Sequence, residues 1–119
     1  MRQCRWMYGL GEAEFDLTAS VLGPCRVLTL RGDLDEVAAP LLDEAIAEPA
    51  DGPLIVDLSG LDFICSAGIH VLLRGRAPDA IVCPPGNIAR VLGIVRADRA
   101  TRLYDDVETA HDALCATVA

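Results

Sequence analysis

The stretch IVDLSGLDFICSAGI, residues 55–69, decides the fold because it leads from a buried strand into a helix. Its first residues are almost purely apolar, which is typical of a central strand that is covered on both faces. We expect Ser59-Gly60 to end this strand and residues 61–65 to form a short link. A helix is then predicted over residues 66–76, with its apolar side chains at helical spacing and a basic last turn.

Upstream of this stretch the chain predicts two strands and one helix. Apolar side chains alternate over residues 14–22 and again over residues 27–34, and the Gly23-Pro24 turn between them predicts a hairpin. Residues 38–45 carry apolar side chains at helical spacing, with a proline in the first turn, where its missing N–H costs little. Residues 1–12 show no period and are predicted to be an N-terminal tail.

Downstream the chain alternates between strands and helices. Residues 80–83 predict a buried strand, and residues 87–95 predict a helix that Asn87 can cap. Residues 102–104 predict a short strand. Asp105, with Glu108 three residues later, resembles a capping box that opens a last helix.

This order of elements predicts one α/β domain over residues 13–119. We expect a mixed sheet of about five strands, with the first two paired and the later ones mainly parallel, packed with about four helices. A chain of 119 residues is long enough to bury one core without metals or disulfides.

Charge and hydropathy exclude several classes of function. The formal net charge is −8, and the ten basic residues, all arginines, are scattered without a cluster that could follow a phosphate backbone, so we expect no direct nucleic-acid binding. The apolar runs are far shorter than a membrane span, and the N-terminus lacks a secretory signal pattern. We therefore expect a cytoplasmic protein without membrane insertion.

The five cysteines predict neither a metal site nor a disulfide framework. Cys4, Cys25, Cys65, Cys83 and Cys115 form no CxxC pair and no Cys/His set that would complete a zinc site. We expect reduced thiols that act as small buried hydrophobic side chains, and no metal or other cofactor.

Three stretches together resemble the STAS domain family, the anti-sigma factor antagonists and their relatives. The most specific is residues 55–69, which is similar to the family signature Asp-Leu-Ser-x-x-x-Phe-x-Asp-Ser-x-Gly with one departure. Residues 32–40 are similar to the family's Gly-x-Leu-Asp strand end before helix one. Residues 84–95 and 103–110 are similar to its closing helix, strand and helix. The resemblance covers residues 13–116.

The resemblance implies a partner-switching function with no enzymatic activity of its own. Ser66 would be phosphorylated by a partner that is both anti-sigma factor and serine kinase, and the unphosphorylated chain would bind this partner and release a sigma factor. The alternative is an unphosphorylated STAS subunit or scaffold of a membrane transporter or a larger signalling complex. The implied partner-binding residues are Asp33, Asp35, Cys65, Ser66, Ala67 and Gly68.

Most of these residues also have a purely structural interpretation. Ser66 is a good helix N-cap, but the free N–H groups of a first turn also favour an anion, so a phosphate there would be tolerated by the fold. Gly68 is suited to close packing of the helix start. Asp33 and Asp35 suit turn and capping chemistry as well as partner binding.

The departure from the family signature is Cys65, which stands where the family has an aspartate. If that carboxylate helps the kinase to recognise the acceptor, phosphorylation of Ser66 is slower here or needs an unusual partner. A thiol at a helix start is also suited to oxidation, whereas the simpler interpretation is a small buried side chain.

A catalytic interpretation would use Ser66 as nucleophile and His70, four residues later, as its base. The sequence disfavours it, because a nucleophile elbow needs glycine two residues before the serine, and Ile64 stands there.

Overall fold

Among the residues that the structure describes, a six-stranded mixed sheet forms the centre of the domain, with its strands side by side in chain order. The computed structural model describes residues 4–10, 13–49, 51–74 and 77–118. The strands are β1 (Cys4–Leu10), β2 (Ala13–Leu22), β3 (Cys25–Leu34), β4 (Leu54–Ile64), β5 (Ala80–Val82) and β6 (Arg102–Tyr104). The helices are α1 (Ala39–Ala47), α2 (Ser66–Leu73), α3 (Asn87–Ile94) and α4 (Val107–Val118), and a 3₁₀ turn spans Ala97–Arg99.

The pairing of the strands confirms the predicted α/β class. Strands β1, β2 and β3 pair antiparallel, whereas β3, β4, β5 and β6 pair parallel. Four helices connect or cover them, as expected. Within the described residues, none of the helices combines the length and the apolar character that crossing a bilayer requires.

The sheet carries helices on both faces, and β4 supplies side chains to both cores. Val56 and Leu58 point into the larger core, which includes buried residues of α1, α2 and α3. Ile55 points into a smaller core with Ala110 and Leu114 of α4. The prediction of a central strand covered on both faces is therefore confirmed, and α2 and α4 lie on opposite faces of the sheet.

The N-terminal segment differs from the sequence expectation. Residues 4–10, predicted to belong to a tail, form β1 and pair antiparallel with β2, with Trp6 opposite Leu17. Main-chain hydrogen bonds between strands do not require alternating apolar and polar side chains. The sequence of this segment therefore has no alternating pattern from which the strand could be predicted. Residues 1–3 and 11–12 of the predicted tail lie outside the described residues.

Strand β4 continues past the point where the sequence predicts its end. It runs to Ile64, so residues 61–65 are mainly strand, and its pairing with β3 is irregular between Thr29 and Arg31. Gly60 lies at this irregularity, where an added Cβ would come within 2.9 Å of the Arg31 Cγ. A glycine in a strand allows a neighbouring backbone to come this close without ending the strand. Strands β3 and β4 therefore continue together past Gly60 and end side by side at Leu34 and Ile64.

The helix ends also differ from the predicted ones in three places. Asp106, not Asp105, caps α4, since its Oδ1 accepts a hydrogen bond of 2.7 Å from the Thr109 N–H. This bond also lowers the pKa of Asp106. Asn87 is the first residue of α3 and makes no side-chain cap bond. Helix α2 ends at Leu73 because the backbone of the next residue is extended.

Candidate functional site

The start of α2 is built on the paired ends of β3 and β4. Directly after β4, the Cys65 N–H donates a hydrogen bond of 3.0 Å to the Leu34 carbonyl at the end of β3. The Cys65 carbonyl in turn accepts the first intrahelical bond, 3.1 Å from the Ile69 N–H. With its extended backbone, Cys65 therefore occupies the cap position, and no side chain caps the helix.

Ser66 is the first residue of α2 rather than its cap. The capping interpretation of this serine is wrong, because its neighbour Cys65 holds the cap position. Ser66 is exposed, and its hydroxyl makes no hydrogen bond within the described part of the chain. The N–H groups of Ser66, Ala67 and Gly68 precede the first intrahelical bond, so they face the position where the helix dipole favours an anion. The hydroxyl is thus free for chemistry.

Gly68 fixes how closely α2 approaches the sheet. It is buried, and an added Cβ would lie 2.7 Å from Cγ of Leu34 and 3.2 Å from Cγ1 of Ile64. Real Cβ atoms do not come this close to a neighbour, so the position admits only glycine without a shift. The packing interpretation of Gly68 therefore applies, and this packing directs Ser66 outward.

The two aspartates of the predicted site have different surroundings. Asp35 Oδ1 accepts hydrogen bonds from the N–H groups of Val37 and Ala38, at 3.0 and 2.9 Å, so it organises the turn before α1. Asp33 is half-buried near the end of β3, opposite Phe63 of β4. Both flank Leu34, whose carbonyl binds Cys65. The structure thus brings all six predicted site residues to one edge of the sheet.

One groove beside Ser66 is acidic. It lies between α1 and α2 and has a volume of about 530 Å³. Glu36 and Asp43 supply its charged groups, and both are exposed. The groove is lined by Glu36, Ala39, Pro40, Asp43, Ser66, Ala67, His70 and Val71.

A second groove on the other side of α2 is basic, with a volume of about 410 Å³. Arg74, Arg96 and Arg99 line it together with Ser66, over apolar side chains from α2 and the end of α3. Arg96 has a left-handed backbone, with φ 58°, and its Nε lies 3.5 Å from Asp98 Oδ1. The sequence analysis missed this cluster, because Arg74 lies 22 positions before Arg96 and the two become neighbours only when α2 and α3 share one face of the sheet.

Two apolar side chains near this edge are exposed. Val37, in the turn before α1, has a relative exposure of 55%, and Phe63, at the end of β4, has 50%. The sequence analysis missed both, since an apolar residue in a strand or beside a helix is normally assigned to the core. Phe63 lines neither groove, but exposed apolar side chains of this size are typical of protein-binding surfaces.

His70 and Cys65 are the two remaining residues that the sequence singles out. Ser66 and His70 both line the two grooves, but no hydrogen bond joins them. Cys65 is half-buried. In the described residues, no three His, Cys, Asp or Glu side chains converge in a way that could hold a metal ion.

Comparison with known proteins agrees with this architecture. The STAS domain family profile matches residues 16–110, and the chain belongs to this family. The anti-sigma-F factor antagonist RsfB of Mycobacterium tuberculosis is 34% identical over 97 residues, which cover 74% of this chain and 77% of that protein, in strains CDC 1551 / Oshkosh and H37Rv. The predicted resemblance is therefore confirmed.

Two solved structures share the fold. The crystal structure of an anti-sigma factor antagonist from Mycobacterium paratuberculosis matches with a TM-score of 0.73 and 24% identity, covering 84% of this chain and 93% of that chain. An uncharacterized protein with a SpoIIAA-like fold from Shewanella loihica matches with a TM-score of 0.53 and 15% identity, covering 91% and 99%. At these identities the likeness concerns the fold alone.

Proposed function

We propose that this chain is an anti-sigma factor antagonist that acts in the cytoplasm. It binds an anti-sigma factor, which is also a serine kinase, and thereby releases a sigma factor; phosphorylation of Ser66 ends the binding. One observation carries the proposal. The Ser66 hydroxyl is exposed and uncommitted at the start of α2, in a chain 34% identical to anti-sigma-F factor antagonists.

The position of Ser66 suits a switch that leaves the fold intact. A phosphate adds about −1.5 to −2 charges, and the free N–H groups of the first turn and the helix dipole favour an anion there. The same phosphate would sit in the middle of a docked surface, between the two grooves. A partner that covers α2 must then desolvate it, so the phosphate stabilises the free chain and weakens the complex.

The two grooves specify the charges of the partner. A surface that docks over α2 must present basic groups toward Glu36 and Asp43, and acidic groups toward Arg96 and Arg99. Apolar side chains that line the grooves, among them Pro40, Val71 and Val95, supply the apolar area that such an interface buries. Reversal of either charged groove should therefore slow association, most strongly at low salt.

The proposal is tested with the anti-sigma kinases encoded in the same genome. We expect the chain to form a complex with one of them in titration calorimetry with ADP, and to accept phosphate from labelled ATP. The Ser66→Ala chain should bind but accept no phosphate, and Ser59→Ala, which alters another exposed serine, should do both. No complex with any of these kinases would overturn the proposal, and binding without phosphate transfer would favour the scaffold role.

A second prediction concerns Cys65, since the cap position of α2 has no side-chain bond. Cys65→Asp should raise the free energy of unfolding by about 1 kcal/mol, because an aspartate there can accept a bond from the first turn and interact with the helix dipole. It should also restore the family signature and speed phosphorylation of Ser66.

Urea unfolding and the rate of phosphate transfer measure these two effects. Cys65→Asn is the matched control, because it provides a similar cap without the charge. We expect both variants to be more stable than the unaltered chain, and only Cys65→Asp to accept phosphate faster. This result would show that the stability gain comes from capping and the faster phosphate transfer from recognition of the carboxylate by the kinase. Unchanged stability in both variants would contradict the capping argument.

A further inference from the structure

Two cysteines and a histidine meet on the face of the sheet opposite α2. Cys25 begins β3, and Cys115 lies in the second half of α4, one turn after His111. The Cys115 Sγ is 3.3 Å from the His111 Nε2. Cys25 shares the smaller core with Leu114, the residue before Cys115, and Cys115 is close enough to raise the pKa of the Cys25 thiol. The cluster has no part in the site around Ser66.

The surroundings hold the three groups in place. Cys25 is fully buried in the smaller core, whereas Cys115 and His111 are half-buried at its edge. Gly23, with φ 58°, makes room for the imidazole, since an added Cβ would lie 2.8 Å from its Nε2. The Nδ1 lies 3.1 Å from Asp112 Oδ1. A hydrogen bond from Nδ1–H to this carboxylate leaves Nε2 free to accept a proton from the thiol.

We propose that Cys25 and Cys115 are an oxidisable thiol pair, a modification site at which hydrogen peroxide or a related peroxide joins α4 to β3 by a disulfide. The proposal is independent of the partner-binding function, since it involves the other face of the sheet.

The first step occurs at Cys115, the more accessible thiol. Its proton passes to His111 Nε2, and the thiolate attacks one oxygen of the peroxide and breaks the O–O bond. That oxygen stays on sulfur as a sulfenic acid. The other leaves as hydroxide and takes the proton from the imidazolium, which gives water. Burial and the adjacent Cys115 raise the pKa of Cys25, so Cys25 keeps its proton and does not react first.

The second step joins the two neighbouring sulfurs. Cys25 attacks the Cys115 sulfur, the S–S bond forms, and the sulfenic oxygen leaves with the Cys25 proton as a second water. Over both steps the two thiols lose two electrons and two protons, and one hydrogen peroxide is reduced to two waters. The product ties the second half of α4 to the start of β3, so we expect the Tm to rise by about 5 °C or more.

The chain lends itself to a direct test, because cleavage after arginine puts each of its five cysteines on a separate peptide. The full chain is treated with hydrogen peroxide, digested with trypsin without reduction, and mapped by mass spectrometry. We expect residues 6–26 to be joined to residues 103–119, with a mass 2 Da below the sum of the two. Cross-links that leave out this pair, or thiols that survive peroxide unchanged, would overturn the proposal.

Variants then separate the roles of the three residues. Cys25→Ala should stop the reaction at a sulfenic acid on Cys115 that dimedone traps, and Cys115→Ser should form no cross-link. His111→Gln should slow the trapping about tenfold or more at an unchanged Tm, since it removes the proton acceptor. Cys83→Ser, at a buried cysteine in the other core, should react like the unaltered chain. Equal rates with and without His111 would remove the histidine from the mechanism.

Discussion

Phosphoserine at position 66 should weaken the complex with the anti-sigma partner at least tenfold, about 1.4 kcal/mol, while stabilising the free chain slightly. The hydroxyl is exposed, has no hydrogen bond within the described residues, and lies between two grooves of opposite charge. A docked partner would have to desolvate the phosphate. In the free chain, the first turn of α2 interacts favourably with the same charge, by about 0.5 kcal/mol.

Because the phosphate should lower the affinity for the partner but raise the stability of the free chain, the two measurements distinguish a docking effect from misfolding. The affinity is measured by calorimetry for the chain with phosphoserine at 66, for Ser66→Asp and for Ser59→Asp, and the stability by urea unfolding of each free chain. Ser66→Asp carries less charge than phosphoserine and should have a smaller effect on affinity. Ser59→Asp should change affinity little. An affinity that is unchanged by phosphoserine would refute the switch, and a strongly destabilised free chain would show that misfolding, not docking, is affected.

The second large effect is expected at Gly68, for which the chain provides a matched control at Gly93. Both glycines lie in helices, so by helix propensity alone replacement of either by alanine should raise the free energy of unfolding by up to about 1 kcal/mol. At Gly93 an added Cβ meets nothing within 4 Å, whereas at Gly68 it would lie 2.7 Å from the buried Leu34. Overpacking of this kind costs about 1–3 kcal/mol.

We therefore expect Gly93→Ala to stabilise the chain and Gly68→Ala to be less stable than Gly93→Ala by about 2 kcal/mol in urea unfolding. Gly68→Ala should also weaken partner binding, since α2 can accept the methyl group only by moving away from the ends of β3 and β4, and Ser66 moves with it. Equal stability changes for the two alanines would mean that Leu34 adjusts freely and that Gly68 does not set the position of the helix.

Much of the fold was predictable because its signals are local. The apolar run at the start of β4, the turn between β2 and β3 and the helical spacing in α1 and α3 each lie within a dozen residues. The parallel order of the later strands then follows from the helices between them. The family resemblance located Ser66, and its place on an exposed helix start is consistent with that prediction.

What the sequence left out depends on contacts between distant segments. Strand β1 exists through main-chain pairing with β2, which leaves no side-chain pattern. The extension of β4 depends on a strand irregularity at Gly60, although glycine ordinarily signals the end of a strand. The arginines of the basic groove come from separate elements, and so do Cys25 and Cys115. These residues become neighbours only through the topology of the fold. The partner-binding roles of all six predicted residues stay predictions: Asp33, Asp35, Cys65, Ser66, Ala67 and Gly68.

The basic groove has one further property that follows from its side chains. Its three cations are arginines, and the whole chain contains no lysine. Since guanidinium groups stay protonated at any pH a cell reaches, and lysine acetylation has no target here, the groove keeps its charge under conditions that would neutralise other basic surfaces. Planar guanidinium groups also bind carboxylates in a bidentate manner. The positive charge of these three side chains is therefore constant, whereas phosphorylation would change the charge of Ser66 beside them.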